Sequence, residues 1–163
     1  MYKRSLRLPK KPRQSFFLWG PRRTGKTTLL RMCYPDAFRI DLLKTDELVR
    51  YAKAPSLLRE EAAALSNDRL IMVDEIQKAP GLLDEIHYMI QEWNRIFALC
   101  GSSARKVRRG HANLLGGRAV RYELLGLSAR EIGPDFSIEH FVNTGPLPDH
   151  YDAEDLSLAL RAY

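Results

Sequence analysis

The sequence predicts an α/β fold, an open and mostly parallel five-stranded sheet with helices on both faces, and three observations carry that expectation. Short apolar runs alternate with longer segments of helical periodicity. Leu70-Ile71-Met72-Val73 is apolar four times in succession, as a central parallel strand buried on both faces requires. Between an apolar run and a helical pattern stands Gly20-Pro21-Arg22-Arg23-Thr24-Gly25-Lys26-Thr27, of the form G-x-x-x-x-G-K-[ST], in the setting a phosphate-binding loop needs.

The elements follow in order. Phe16-Phe17-Leu18-Trp19 reads as a buried strand stopped by Gly20-Pro21, and a helix runs from near Gly25 to about Cys33, where Pro35 ends it. Ala37 to Asp41 is a second strand, placed nearer the sheet edge by its polar Arg39. Two helical pieces divided by Pro55 come next, the later one apolar at Leu58, Ala62 and Leu65. After the Leu70–Val73 strand, the residues Leu82, Ile86, Met89 and Trp93 recur at helical spacing. Ile96 to Cys100 is the fourth strand and Ala119 to Leu124 the fifth. The aromatic pair Phe16-Phe17 and Trp93 are read as core. Beyond Gly126 the signal weakens, until Asp152 to Tyr163 place acids in a first turn and Leu156, Leu160 and Tyr163 on one face of a helix. The division expected is a core over residues 1–131, with 132–163 a linker and the start of a truncated helical or C-terminal region.

At 163 residues the chain fits one hydrophobic core, and 45% hydrophobic with 28% charged residues is a globular rather than a disordered balance. No apolar run approaches the roughly 20 residues that cross a bilayer, and the basic start MYKRSLRLPKKPRQ has no apolar stretch behind it. Cys33 and Cys100 lie far apart without His or Cys at metal spacing, which excludes a zinc or disulfide framework from the reading. A reducing, cytoplasmic compartment without membrane is expected. The net charge of +6 is uneven: residues 1–31 hold ten Lys or Arg and residues 101–122 six, neither with an acid. Such surfaces attract polyphosphate or nucleic acid, but no nucleic-acid recognition motif accompanies the charge.

The chemistry centres on the Gly-rich loop. A triphosphate needs many converging donors, and a loop ending at a helix N-terminus supplies backbone N–H groups with a partial positive charge. Residues Gly20 to Thr28 are therefore the expected nucleotide-binding set. Lys26 reaches the β- and γ-phosphates, Thr27 ligates Mg²⁺ through its hydroxyl and Thr28 adds contacts to the α-phosphate. Asp74 and Glu75 follow a central strand at the end where ligands bind in open α/β sheets. Asp74 is expected to hold the Mg²⁺ shell, and Glu75 to orient or activate the attacking water. Two acids after a strand equally suit a solvated turn, and it is the loop upstream that favours the functional reading. Gly101-Ser102-Ser103 closes the fourth strand, where either serine can contact the γ-phosphate or simply form a turn, with Ser102 nearer the strand. Arg118, just before the fifth strand, is a candidate to stabilise charge on a transferring phosphoryl group, with Arg105, Arg108 and Arg109 as competitors and a surface arginine as the plain alternative. His87, His111, His140 and His150 show no metal or nucleophile pattern.

Four blocks together, FLWGPRRTGKTTLL, IMVDEIQKAP, CGSSARK and LLGGRA, resemble a prokaryotic AAA-type P-loop ATPase family over about residues 1–131. The resemblance implies an AAA/ASCE-like sheet with the serine strand between the phosphate-loop strand and the Asp74 strand. It further implies a hydrolytic Glu75, a sensor-like Ser102, and an arginine finger at Arg118 that acts on a neighbouring subunit. Family members usually carry a C-terminal domain of unknown function after this core, which the 163 residues do not include; a homo-oligomer formed through that region is a corresponding expectation. The reading is of Mg²⁺-ATP hydrolysis with water as acceptor. A nucleotide-operated module that binds a partner or DNA with negligible turnover is the alternative, and a P-loop kinase a third. Absence of Asn-Lys-x-Asp favours adenine over guanine.

Overall fold

A computed structural model describes residues 2–102, 114–153 and 155. Strand β1 (Ser15–Trp19) leads through a loop into α1 (Lys26–Cys33), β2 (Phe38–Asp41), α2 (Thr45–Lys53) and α3 (Ser56–Ala63). Strand β3 (Ile71–Asp74), a 3-10 turn (Ile76–Lys78), α4 (Leu82–Trp93) and β4 (Phe97–Gly101) follow, then a 3-10 segment (Leu114–Gly117) and β5 (Ala119–Glu123). Three short α-helices follow, α5 (Ala129–Ile132), α6 (Ile138–Thr144) and α7 (Pro148–Tyr151), with a 3-10 turn (Gly133–Asp135) between the first two.

The sheet has the order β2-β3-β4-β1-β5, and every pairing within it is parallel. The serine-bearing β4 thus lies between β1 and β3, and β2 is an edge strand, as its Arg39 predicted. Strand β4 begins at Phe97 rather than Ile96, whose carbonyl instead accepts the Ile71 N–H at the foot of the ladder.

Strand alternation divides the core into two layers. Phe17, Trp19, Ile40, Ile71, Val73, Phe97 and Leu99 face Leu58, Ala62, Leu82, Ile86 and Met89 from α3 and α4. On the other face Phe16, Leu18, Met72, Ala98 and Cys100 pack with Leu30 of α1 and with Tyr34. Trp93 packs at the margin of the first layer, half-buried. No described helix is long and apolar enough to cross a membrane.

The weak-signal region after Gly126 forms α5 to α7, which pack Leu127, Ile132 and Tyr151 against Tyr2, Phe136 and Phe141. Ser128 and Glu131 form a reciprocal capping box on α5, and the Ser137 hydroxyl caps α6. The S-x-x-E spacing of that box is a local helix signal. Leu156, Leu160 and Tyr163, on which the terminal helix was read, lie outside the described residues.

Arg4 fastens this helical group to the sheet. Its guanidinium donates to the carbonyls of Thr24 (3.0 Å), Gly126 (3.2 Å) and Leu125, and pairs with Glu131 at 3.2 Å; the two side chains are 9% and 6% exposed. Burial alone would raise the Glu131 carboxyl, but the Ser5 and Ser128 N–H groups and Arg4 outweigh it and hold the carboxyl below its ordinary value.

Candidate nucleotide site

Because all five strands are parallel, their C-terminal ends share one edge of the sheet. The loop leaving β1, the Asp74-Glu75 pair ending β3 and Ser102 after β4 meet there. Gly20 presses so closely on the exit of β5 that a Cβ in its place would lie 1.9 Å from the Leu124 carbonyl oxygen, whereas the neighbouring Trp19 carbonyl accepts the Leu124 N–H at 2.8 Å. Arg23 and Gly25 turn the loop through left-handed backbone, with φ of 61° and 85°.

Inside the loop the Thr24 hydroxyl donates to the Pro21 carbonyl at 3.0 Å, and Lys26, 6% exposed, donates to the Gly20 and Pro21 carbonyls at 2.8 and 2.6 Å. The ammonium is thereby aimed back across the loop's own opening. Helix α1 starts at Lys26 with no acid in its first turn, so its N-terminal field is left to a negative ligand.

The loop reaches the β3 acids through Thr27, whose hydroxyl donates to one carboxylate oxygen of Asp74 at 2.5 Å. The other oxygen accepts the Glu75 N–H at 3.0 Å, and the Asp74 side chain is buried. These two oxygen donors fit Mg²⁺, which takes few protein ligands and completes an octahedron with water and phosphate oxygens. The Thr27 hydroxyl can offer a lone pair to the cation while its O–H still donates to the Asp74 carboxylate. Among the described residues no group of three or more His, Cys, Asp or Glu is placed to hold a metal. Cys100 lies beneath, its thiol pushed well above its ordinary value by burial and then by the Asp74 carboxylate.

A cavity of about 490 Å³ opens above this floor, lined by Arg22, Arg23, Gly25, Lys26, Thr27, Thr28, Leu43, Glu75 and Asp149. A second, of about 360 Å³, shares Arg23, Gly25, Thr28 and Asp149 with it and continues along Leu29 and Met32 to Tyr2 and Pro148. Burial, with a hydrogen bond to Asp152, pushes the Tyr2 hydroxyl up to about 12, so it stands there as a neutral donor.

The structure brings residues 20–28, Asp74, Glu75 and Ser102 together. Arg118 is exposed and precedes β5, whose Ala119 pairs with Ser15 at the start of β1. It therefore lies at the opposite end of the sheet, roughly 16 Å of strand from the phosphate loop. Ser103, Arg105, Arg108, Arg109 and His111 lie outside the described residues. Of the other histidines, His150 is buried, His87 is half-buried, and His140 meets the Tyr151 carbonyl at 2.9 Å. Sequence reasoning passed over Gln77, which touches both Glu75 and Ser102, and Arg4 and Asp149, which reach the loop from distant segments.

A family model described as AAA domain matches residues 12–133. No curated protein matches the chain. Among solved structures, the RuvB Holliday junction branch migration motor of Thermotoga maritima is similar at 17% identity and a TM-score of 0.51, over 73% of this chain and 40% of that one. The Aeropyrum pernix ORC2 protein, in ADPNP-ADP complexes, is matched at 17% identity and a TM-score of 0.48, over 74% of this chain and 44% of that one. The chain spans less than half the length of either. At such identities the RuvB likeness speaks to fold, while the family match covers the loop, the acids and the sheet together. The chain belongs to the AAA domain family, as a P-loop domain of the AAA ATPase type.

Proposed function

We propose that this domain binds Mg²⁺-ATP on residues 20–28 and hydrolyses it with water as the acceptor. The observation that carries the reading is the contact of Thr27 with Asp74 beside the inward-turned Lys26, with Glu75 on the wall of the same cavity. Phosphoryl transfer requires positioning and charge stabilisation more than covalent chemistry, and these residues supply both.

In this reading Lys26 trades its two carbonyl acceptors for β- and γ-phosphate oxygens, and the backbone N–H groups at the start of α1 face the phosphates. Thr28 stands at the α-phosphate, where the two cavities join, and the second cavity receives the nucleoside between Met32, Tyr2 and Pro148. Thr27 directly, and Asp74 through the hydration shell, would hold Mg²⁺, which would neutralise charge on the phosphate oxygens. Glu75 orients the attacking water and takes its proton, and Ser102 donates from the end of β4 toward the γ-phosphate. The protein forms no covalent intermediate.

A finger at Arg118 would require an assembly. Being far from the cavity of its own chain, the arginine serves as a finger only for the site of a neighbouring copy, so a single copy turns over slowly. The free thiols of Cys33 and Cys100 and the ATP requirement fit a cytoplasmic setting.

Release of free phosphate from ATP alone, measured with the wild type and Glu75→Gln, tests the assignment. Phosphate from the wild type and nearly none from Glu75→Gln, at matched nucleotide affinity, is the expected result. Nucleotide binding without any phosphate release would leave a nucleotide-operated binding module in its place.

A further inference from the structure

Glu75 is a non-glycine residue held in left-handed backbone, with φ of 56° and ψ of 42°, and the 3-10 turn that follows is pinned by the fully buried Ile76. That turn sends the side chain of Gln77 back across the β3–β4 edge. The Gln77 amide nitrogen donates to Glu75 Oε2 and to the Ser102 hydroxyl at 3.1 Å, and the Ser102 hydroxyl donates to the same Oε2 at 3.3 Å. The three side chains close a ring in which each donor proton has its own acceptor. A carboxylate only accepts, so the nitrogen of the amide must face Glu75 and its oxygen must face away.

That oxygen is buried without a hydrogen-bond partner among the described residues. Native proteins seldom leave a buried acceptor unpaired, and an exception calls for a reason. The oxygen lies over Gly101, where a Cβ would come within 2.3 Å of it and 2.6 Å of the Trp19 ring. The end of β4 is thus cut to the shape of the Gln77 amide, in an orientation that benefits Glu75 at the expense of the amide's own oxygen.

We propose that Gln77 is a positioning residue for hydrolysis: it fixes Oε2 of Glu75, leaves Oε1 to take the proton of water, and ties the carboxylate to Ser102. The inference rests on Glu75 as the hydrolytic residue. When the Ser102 hydroxyl turns toward a γ-phosphate it leaves Oε2, and Gln77 alone keeps the carboxylate from swinging out of line. Gln77 is not among the residues that line the cavity above the loop, so its removal acts on turnover and not on binding.

The test compares Gln77→Met, close in volume but without donors, with Gln77→Glu, Glu75→Gln and the double variant Glu75→Gln/Gln77→Met. Turnover, Mg²⁺-ATP affinity by titration calorimetry and thermal midpoint are measured for each. The expected result is a fall in kcat of about tenfold or more for Gln77→Met, with affinity unchanged within twofold and a wild-type midpoint. The double variant is then no slower than Glu75→Gln alone, because the two act as a unit. Gln77→Glu keeps the length of the side chain but replaces the donating amide nitrogen with an acceptor oxygen, so kcat falls at least as far while affinity stays within twofold of wild type. If Gln77→Met melts early, kcat and affinity of Gln77→Glu, measured below its own thermal midpoint, decide the matter. Wild-type kcat in both Gln77→Met and Gln77→Glu, while Glu75→Gln is inactive, overturns the role of Gln77 alone. Full activity in Glu75→Gln overturns the assignment of Glu75, and the inference falls with it.

Discussion

Replacing Arg4 with methionine keeps most of the stem and removes the guanidinium that joins the phosphate loop, the exit of β5 and α5. Four contacts vanish: three to the carbonyls of Thr24, Leu125 and Gly126, and one to Glu131. The carbonyls lose a charged donor, and Glu131, in a site that is 6% exposed, keeps the Ser5 and Ser128 N–H groups but loses its counter-charge. Loss of charge-assisted hydrogen bonds costs about 1.5–3 kcal/mol, against a total stability of roughly 5–15 kcal/mol for a domain. With a urea m-value of about 2 kcal/mol per molar, the unfolding midpoint falls by about 0.8–1.5 M. Fluorescence of the buried Trp19 reports the transition. Arg4→Met/Glu131→Gln recovers part of the loss, because the stranded charge is gone. A midpoint within 0.3 M of wild type at equal m-value, on the order of the ±0.5 kcal/mol of an ordinary surface change, would refute the view that this clasp holds the helical group to the sheet.

Three further expectations follow from the same geometry. The Glu131 carboxyl is held below its ordinary 4.5 in the folded chain, so its contribution is complete above that value and drains away as pH falls through the folded value; the stability gap between wild type and Glu131→Gln narrows steadily once acid melts are carried below 4.5. Lys26→Ala removes a desolvated counter-charge from the loop and weakens Mg²⁺-ATP binding at least a hundredfold, about 2.7 kcal/mol; titration calorimetry with unchanged affinity would remove the nucleotide from this loop. Arg118→Ala lowers turnover while leaving affinity intact, and mixing it with Glu75→Gln restores part of the activity if the arginine acts on a neighbouring copy, whereas equal loss at every mixing ratio places no finger at Arg118.

How much could be read in advance differs sharply between the two ends of the chain. The Leu70–Val73 run and the 20–28 loop declare themselves because burial on both faces and phosphate binding each demand a contiguous residue pattern. The edge position of β2 was legible for the complementary reason, one charged side chain in an otherwise apolar stretch. Helices α5 to α7 span only four, seven and four residues. That is too short for helical periodicity to register, and their stability comes from docking rather than propensity. Arg4 is invisible to any local reading, since its partners lie 20 to 127 residues away. Gln77 is harder still: nothing about a glutamine two places after an acid marks it until the left-handed turn at Glu75 folds it back.

The order of the strands also decides what the sheet presents at its two margins. Both outer strands leave one side of their backbone without a ladder partner among the described residues, and such rows of N–H and C=O groups are templates for adding a foreign strand. Here both are short. Arg39 stands exposed on β2, and Arg121 and Glu123 stand exposed on β5, paired with each other. Pairing a foreign strand on either edge would desolvate these charges in return for few ladder hydrogen bonds, so the two margins of the sheet are poor templates for backbone zippering.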